Sequence, residues 1–296
     1  MNRRTFLQTT GLMSAATLLS VPSCAEPTPK YKMGLQLFGV REDMAKDPIG
    51  TLKAVQAMGY EDFEVYGFDA EKVKIYGHKC ADFKTILDDL DLTATSGHFS
   101  FHPFLDKPAD DLVRFTDQCI TGARAMGLPY ITWPWMAPEQ RTLETYKRLP
   151  EILNGIGEQV TAAGLGFTYH NHDFEFTDYD GVNGYDIILE ETDPKLVKLQ
   201  MDMYWVLHSS KETPKELIKR QPGRFVMWHI KDMHKVSRDY TELGNGSIDY
   251  VDILPDPVAS GLEYYYLEQG GNFTHNPLRS AADSAAYFKE HLQRFL

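Results

Sequence analysis

Four residues with metal-binding side chains occur at the ends of four predicted strands in the second half of the chain. His170, Asp202, His229 and Glu268 are separated by 32, 27 and 39 residues, and each gap is close to one β/α unit. Two imidazoles and two carboxylates can fill four positions on a divalent ion and leave room for substrate. The set predicts one divalent metal ion. Its nitrogen donors favour manganese, cobalt, zinc, iron or nickel over magnesium.

A single histidine near a strand end is more often a hydrogen-bonded core residue than a ligand. The two carboxylates are harder to explain in that way. Asp202 lies in an otherwise apolar strand and Glu268 follows Tyr264-Tyr265-Tyr266-Leu267, and an unpaired buried carboxylate is costly. The four residues together therefore favour a metal site.

Other ionisable residues near the same strand ends are candidates for proton transfer. Lys231 faces the same way as His229, because side chains alternate along a strand. It could stabilise an enolate oxygen or move a proton, or it could form a structural ion pair. Glu64, His98 and His172 are the candidates for the general base, in an order that the sequence leaves open. A salt bridge inside the lower barrel is the alternative for Glu64.

Polar and aromatic residues at this level are candidates for substrate binding. Gln36 in the first predicted strand and Asn171 in the fifth offer hydrogen bonds. Aromatic faces suit stacking on a sugar ring, although packing in the core is their usual role. The aromatic residues near the predicted rim are Trp133, Trp135, Tyr204 and Trp205.

These residues need a scaffold that brings many strand ends together. From Tyr31 onward, eight short segments rich in β-branched and aromatic residues alternate with amphipathic segments such as Ile49–Gly59 and Leu143–Ala163. The pattern predicts a single-domain α/β protein, a (β/α)8 TIM barrel over residues 31–296, with its active site at the strand ends. A doubly wound sheet is the alternative, but no glycine-rich phosphate loop follows the first strand. The predicted strands are Met33–Val40, Asp62–Gly67, Leu92–Ser100, Tyr130–Trp135, Gly166–Asp173, Val197–Trp205, Phe225–Lys231 and Glu263–Gln269.

Residues 1–24 have the pattern of an export signal. Asn2-Arg3-Arg4-Thr5-Phe6-Leu7 resembles a twin-arginine motif, and a short apolar run follows from Gly11 to Val21. Cys24 stands where a lipoprotein is cleaved and lipidated, so we expect an exported protein that is periplasmic or anchored to the membrane through Cys24. Cleavage without lipidation, or an apolar first helix of the fold, are the alternatives. Residues 25–30 are predicted to form a tether.

Composition limits the classes of partner. The chain carries a formal net charge of −12, with a pI near 5.3, whereas nucleic-acid binding normally requires a basic face. The mean hydropathy of −0.37 excludes a polytopic membrane protein. These values favour a small neutral or weakly charged substrate and oppose a nucleic-acid partner.

Several candidate residues lie in motifs that resemble the sugar phosphate isomerase/epimerase family, whose members have a xylose isomerase-like barrel. The motifs are Gly34-Leu35-Gln36-Leu37, Phe63-Glu64-Val65-Tyr66, Tyr169-His170-Asn171-His172 and His229-Ile230-Lys231-Asp232. The family binds one divalent metal through two Glu, one Asp and one His. The resemblance assigns the Asp to Asp202, the His to His229 and the last Glu to Glu268. His170 stands at the position of the first Glu, as in the branch that includes inosose dehydratases.

The resemblance implies removal of a proton next to a carbonyl group that a metal and a nearby cation polarise. Return of the proton gives isomerisation or epimerisation. Loss of a β-leaving group gives elimination, as in the family members that act on keto-inositols or 3-keto-glycosides. Both outcomes stay open. Export and the lack of a basic phosphate cradle favour an unphosphorylated sugar, keto-sugar or oxidised glycoside.

Two other classes of function are also compatible with such a barrel. One is a non-catalytic, exported sugar-binding protein, since a fold alone does not establish activity. The other is an endonuclease for damaged DNA, which the acidic charge and the export signal oppose. The resemblance further implies that the protein can form a homodimer, which is common among similar barrels.

Overall fold

The computed structural model describes residues 30–296, in which eight parallel strands form a closed barrel. Each barrel strand pairs with its neighbours in the chain, and the last closes on the first, where Gly34 lies opposite Tyr266 and Leu35 opposite Leu267. The predicted TIM barrel is confirmed. The strands are β1 (Gly34–Gln36), β2 (Asp62–Tyr66), β3 (Thr93–His98), β4 (Tyr130–Trp133), β5 (Gly166–His170), β6 (Lys198–Asp202), β7 (Met227–Ile230) and β8 (Tyr264–Leu267).

Helices follow the strands in the order that a barrel requires. One helix follows each of β2, β3, β4, β5 and β8, and two follow each of β1, β6 and β7. Short antiparallel ladders in the loops after β2, β5 and β7 extend the carboxyl end of the barrel. The helices are α1 (Arg41–Lys46), α2 (Pro48–Ala57), α3 (Cys80–Asp89), α4 (Ala109–Met126), α5 (Leu143–Ala162), α6 (Gly184–Glu191), α7 (Met203–Ser209), α8 (Pro214–Arg220), α9 (Tyr250–Ile253), α10 (Pro257–Ser260) and α11 (Pro277–Tyr287).

The interior of the barrel is polar at mid-height. The hydroxyl of Thr132 lies 2.8 Å from that of Ser96 and 2.6 Å from that of Thr168. Gln200 donates across the barrel to Glu64 at 2.7 Å. Side chains alternate along each strand, so the residues between these point outward and join the main apolar core. The outward residues include Phe63, Val65, Ile131, Trp133, Phe167, Leu199, Met201 and Trp228.

The sixth strand is shorter than the predicted Val197–Trp205. It ends at Asp202 because α7 begins at the next residue and the Asp202 carboxylate caps that helix. Its Oδ1 accepts hydrogen bonds from the backbone N–H groups of Tyr204 and Trp205 at 3.1 and 3.3 Å. The first strand is also shorter than predicted, because the side chain of Gln36 caps a 3₁₀ turn that follows it directly.

The predicted export signal and lipidated Cys24 lie outside the described residues, together with all but the last residue of the predicted tether. These assignments stay predictions. Between residues 30 and 296, no helix is both long enough and apolar enough to cross a membrane.

One buried carboxylate ties the loop after β7 to the start of α11. Glu242 is 1% exposed. Its Oε1 accepts from the backbone N–H of Thr274 at 2.9 Å and from the hydroxyl of Ser280 at 2.5 Å, and its Oε2 accepts from the hydroxyl of Thr274 at 2.8 Å. Burial alone would raise the pKa of Glu242, but these donors outweigh it and lower the pKa to about 2. The folded protein therefore holds Glu242 in its charged form.

We expect Glu242→Gln to lower the free energy of unfolding by about 2 kcal/mol at about pH 7, because the amide replaces a charged acceptor. The folded pKa is below the ordinary value of 4.5. The stabilisation by Glu242 is therefore present above about pH 4.5 and is lost as the pH falls toward 2. Denaturant unfolding at about pH 3.5 should show a difference that is smaller by about 1 kcal/mol.

The matched control for this variant is Glu151→Gln, on the exposed face of α5, which should change stability by less than about 0.5 kcal/mol. An equal loss of stability in Glu242→Gln at both pH values would show that the charge of Glu242 is not the source of the effect.

Candidate metal centre

The four predicted metal ligands meet at the carboxyl ends of β5 to β8. One ligand atom from each of Asp202, His229 and Glu268 lies within 4.8 Å of the other two. His170 is adjacent, with its Nε2 3.7 Å from Asp202 Oδ2. His170, Asp202 and His229 are buried, and the Glu268 side chain is only 8% exposed. The spacing of these residues in the sequence therefore corresponds to a real cluster.

A second group of imidazoles overlaps this cluster. Ligand atoms of His98, His170 and His229 also lie within 4.8 Å of one another. The ring centroids of His98 and His170 are 5.0 Å apart, and those of His170 and His229 are 4.7 Å apart. His98, predicted as a proton-transfer residue, thus lies directly beside the predicted ligands His170 and His229.

The geometry of Asp202 tests whether a metal ion fits this site. Its Oδ1 caps α7, while its buried Oδ2 accepts no well-formed hydrogen bond within residues 30–296. The ammonium of Lys231 lies 2.5 Å from Oδ2 as an ion-pair partner. Imidazole nitrogens and a second carboxylate lie close to the same oxygen. This donor set fits a divalent cation.

Lys231 forms an ion pair with two of the predicted ligands. Its Nζ lies 2.5 Å from Asp202 Oδ2 and 2.5 Å from Glu268 Oε2, and the side chain is 4% exposed. Burial would lower the pKa of Lys231, but the two carboxylates outweigh burial and raise it above its ordinary value. The residue is therefore a buried ammonium, consistent with the ion pair that the sequence left as an alternative.

His229 lies between two carboxylates. Its Nδ1 is 2.9 Å from Glu268 Oε2, and its Nε2 is 2.6 Å from Glu64 Oε2. Burial would lower the pKa of His229, but the two carboxylates raise it to about 9. Glu64 thus orients the imidazole ring of His229 through Nε2, the nitrogen on the other side from Glu268, as the outer carboxylates of many metal-binding histidines do.

Glu64 has little free capacity to act as a base. Its two oxygens accept hydrogen bonds from Gln36, Ser96 and Gln200 at 2.6 to 2.7 Å, in addition to the contact with His229. Burial raises the pKa of Glu64, but the neighbouring histidines hold it well below its ordinary value. Gln36, predicted to bind substrate, instead supports Glu64 beneath the site.

A cavity of about 610 Å³ opens above the donor atoms at the mouth of the barrel. His98, His170, Lys231 and Glu268 form its polar floor, with His172 beside them. Aromatic side chains form much of the wall, which is the usual composition of a small-molecule site. The aromatic residues that line it are Phe38, Tyr66, Trp135, Phe174, Trp205 and Tyr240.

The structure places the predicted aromatic contacts Trp133 and Tyr204 outside this wall. Trp133 points out of the barrel, where its ring stacks on Phe101 with centroids 5.4 Å apart. Tyr204 lies in α7 and donates from its hydroxyl to a loop carbonyl at 2.6 Å. The other two aromatic residues predicted near the rim, Trp135 and Trp205, do line the cavity.

Asn171, predicted to bind substrate, is not among the residues that line the cavity and instead holds the backbone of Asp202. Its side chain pairs with the backbone of Asp202, which donates to Asn171 Oδ1 at 3.0 Å and accepts from Nδ2 at 3.3 Å.

Arg141 lines the cavity and was not among the sequence candidates. Its guanidinium lies 3.8 Å from the ring centroid of Phe174 and donates to the carbonyl of Met136. Its place in the loop after β4 is the one signal that the sequence offers.

This fold and donor set are those of a TIM barrel with a candidate metal site at its carboxyl end. The chain belongs to the xylose isomerase-like TIM barrel family, which it matches over residues 52–291. An inosose dehydratase from Clostridium perfringens is 28% identical over 166 residues, which is 50% of this chain and 55% of that protein. This chain thus matches about half the length of that curated relative.

Solved structures share the fold over most of the chain. A sugar phosphate isomerase/epimerase from Parabacteroides distasonis is 24% identical, with a TM-score of 0.77 over 91% of this chain and 97% of that one. The IOLI protein, solved with a zinc atom, is 14% identical with a TM-score of 0.68 over 90% of this chain and 99% of that one. A barrel from Mycobacterium smegmatis, solved with magnesium, is 15% identical with a TM-score of 0.66 over 88% and 96%.

We expect Glu64→Gln to weaken Mn²⁺ binding by about 10- to 100-fold, because the amide no longer orients His229 as a charged acceptor. Equilibrium dialysis with Mn²⁺ measures the effect, and circular dichroism checks that the variant is folded. Ser96→Ala is the matched control, since it removes one donor to Glu64 but keeps the carboxylate. A folded Glu64→Gln protein with the affinity of the wild type would contradict the positioning role.

Proposed function

We propose that the protein is a divalent-metal-dependent enzyme that removes a proton from the carbon next to a carbonyl group of a sugar or keto-sugar. The observation that carries this proposal is the convergence of Asp202, His229 and Glu268 beneath a 610 Å³ cavity that Glu268 and Lys231 line, with Lys231 between the two carboxylates. The names of the inosose dehydratase and the isomerase/epimerase among the similar proteins support the same class of chemistry.

The residues of the cluster have distinct roles in this proposal. His170, Asp202, His229 and Glu268 would hold the metal ion, which acts as a Lewis acid when bound. The ammonium of Lys231 supplies a positive charge beside the oxygen that becomes negative as the proton leaves. The side chains of Asp202, Lys231 and Glu268 are at most 8% exposed, so such charges act more strongly there than in solution.

His172 is the strongest candidate for the base. It lines the cavity, and its buried Nδ1 has no hydrogen-bond partner within residues 30–296. His98 also lines the cavity, but its Nε2 is engaged by Gln200 at 2.9 Å and by Glu64 at 3.0 Å. His98 is therefore better suited to hold or return a proton in a fixed orientation. Both oxygens of Glu64 already accept hydrogen bonds.

The cavity favours an unphosphorylated substrate. Lys231 and Arg141 are the cationic lysine and arginine side chains among its lining residues in the described part of the chain. Lys231 contacts two carboxylates, and Arg141 donates from two nitrogens to the Met136 carbonyl. A phosphate group normally requires several cationic donors together, and Lys231, even when it is released from the carboxylates, would be a single donor. We therefore infer that a free sugar, keto-sugar or oxidised glycoside is the substrate.

The size of the cavity favours a second candidate reaction, β-elimination from a 3-keto-glycoside. A volume of about 610 Å³ exceeds that of one sugar ring, and aromatic side chains such as Trp135 and Trp205 could contact a second ring. Both reactions begin with the same proton removal. They differ in whether the intermediate regains a proton or expels the group attached at the β-carbon.

The experiment that tests the function is NMR of the purified protein with 3-keto-glucosides and free ketoses in D₂O, together with an assay of bound metal. Release of aglycone would identify a lyase. Deuterium incorporation with a new sugar isomer would identify an isomerase or epimerase. Bound metal without either reaction would favour the sugar-binding barrel, and a protein that cannot bind metal would contradict the proposal.

We expect Asp202→Asn to lose most of its bound metal and to lower activity at least about 100-fold. Asparagine keeps an oxygen to cap α7 but removes the carboxylate charge from the cluster. Asp256→Asn is the matched control, because Asp256 caps α10 in the same way but lies on the surface. It should leave metal content and activity unchanged. Full metal content and activity in Asp202→Asn would show that the ligand set is wrong.

We expect His172→Gln to lower kcat by about 100-fold or more, because loss of a general base typically costs about 100- to 10,000-fold, while Mn²⁺ affinity changes by less than about 3-fold. His102→Gln is the matched control, because His102 also has a buried Nδ1 without a partner in the described chain but does not line the cavity. A kcat close to that of the wild type would exclude His172 as the base.

A further inference from the structure

The predicted ligands already have a cation between them, and it belongs to the protein. Lys231 Nζ lies 2.5 Å from Asp202 Oδ2 and 2.5 Å from Glu268 Oε2. The other oxygen of Asp202 caps α7, so Oδ2 is the one that can bind a metal. The ammonium therefore occupies the approach to the Asp202 oxygen that a metal ion would use, and it contacts one oxygen of Glu268.

The charges around this site make joint occupancy unfavourable. A dication bound by Asp202 and Glu268 would lie within a few ångströms of the ammonium if Lys231 kept its place, and two such cations repel strongly in a buried site. Asp202 Oδ2 would also have to serve both cations at once, because the other oxygen of Asp202 is engaged by α7. The lysine and the metal are therefore alternatives at Asp202 Oδ2, beside Glu268.

The cavity offers the Lys231 ammonium an alternative position, away from the two carboxylates. Its side chain lines the cavity, and its Nζ is 5.7 Å from the ring centroid of Tyr240 on the loop after β7. An aromatic face can hold an ammonium by a cation–π interaction. A small rotation about the lysine side chain would move Nζ away from the carboxylates and toward the cavity, where a substrate would bind.

We propose that Lys231 competes with the metal ion for Asp202 and Glu268, and that metal binding releases its ammonium into the cavity toward the substrate. This inference rests on the proposed function and deepens it. In the metal-free protein the lysine balances the two buried carboxylates. In the metal-loaded protein it is a free cation beside the substrate, so that metal loading prepares the second positive charge of the site.

The first test is Mn²⁺ affinity by equilibrium dialysis of the whole protein. Lys231→Met removes the competitor, so it should bind Mn²⁺ at least about 10-fold more tightly than the wild type. Lys235→Met is the matched control, because Lys235 is exposed on the same loop and its loss changes the net charge equally. Its affinity should stay within about 3-fold of the wild type.

The second test needs no variant and holds even if Lys231→Met does not fold. The wild-type protein is labelled with an amine-acylating reagent, with and without Mn²⁺, and labelling of each lysine is measured by mass spectrometry. Lys231 is 4% exposed, so we expect slow labelling without Mn²⁺ and at least about 5-fold faster labelling with it. Exposed Lys235 should react equally in both states.

The outcomes separate this inference from the proposed function. Equal Mn²⁺ affinity of the wild type and Lys231→Met, or Lys231 labelling that Mn²⁺ does not change, would overturn the competition and leave a metal enzyme intact. Failure of both proteins to bind Mn²⁺, Co²⁺ or Zn²⁺ would overturn the metal site itself. Tighter binding together with faster labelling would support the release of Lys231.

Discussion

Three buried carboxylates at one end of a barrel are the constraint that organises this site. Burying a charged carboxylate is costly unless it is paired and hydrogen-bonded. Glu64, Asp202 and Glu268 are paired by two cations, each of which contacts two of them: His229 lies between Glu64 and Glu268, and Lys231 lies between Asp202 and Glu268. Each charge therefore helps to fix the place of its neighbours, and Lys231 can leave Asp202 only if another cation takes its place.

The polar layer inside the barrel follows from that constraint. Glu64 is the innermost carboxylate, and side chains from three other strands converge on it: Gln36 from β1, Ser96 from β3 and Gln200 from β6. Gln200 in turn accepts at 2.8 Å from His170. An apolar interior at this level would leave Glu64 without these donors. The layer is better understood as the support that holds His229 and His170 in orientation.

Much of this arrangement could be predicted from the sequence because the barrel repeats. A ligand at each of four successive strand ends must recur at intervals of about one β/α unit, and His170, Asp202, His229 and Glu268 do so. The direction in which a side chain points was harder to predict than its level along the barrel axis. Trp133 lies at the right level, but its immediate neighbour Thr132 points inward, so Trp133 must point outward.

Local capping accounts for another difference between prediction and structure. Val197–Trp205 has the composition of one long strand, yet Asp202 ends it by accepting hydrogen bonds from the two backbone N–H groups of the next turn. Tyr204 is thereby carried into α7 and away from the cavity. Arg141 could not be assigned from its sequence position, because its contacts with Phe174 and Met136 depend on how two loops pack together.

The role of a charged residue in this barrel depends on partners that are distant in the chain. Glu64 has the sequence context of a base, but donors from four other strands occupy both oxygens of its carboxylate and leave little capacity to accept a proton from substrate. Lys231 could be an ion-pair residue or a catalytic cation, and the structure shows why these need not exclude each other. The same two carboxylates that hold its ammonium are those a metal would use, so the occupant of Asp202 and Glu268 determines which role Lys231 has.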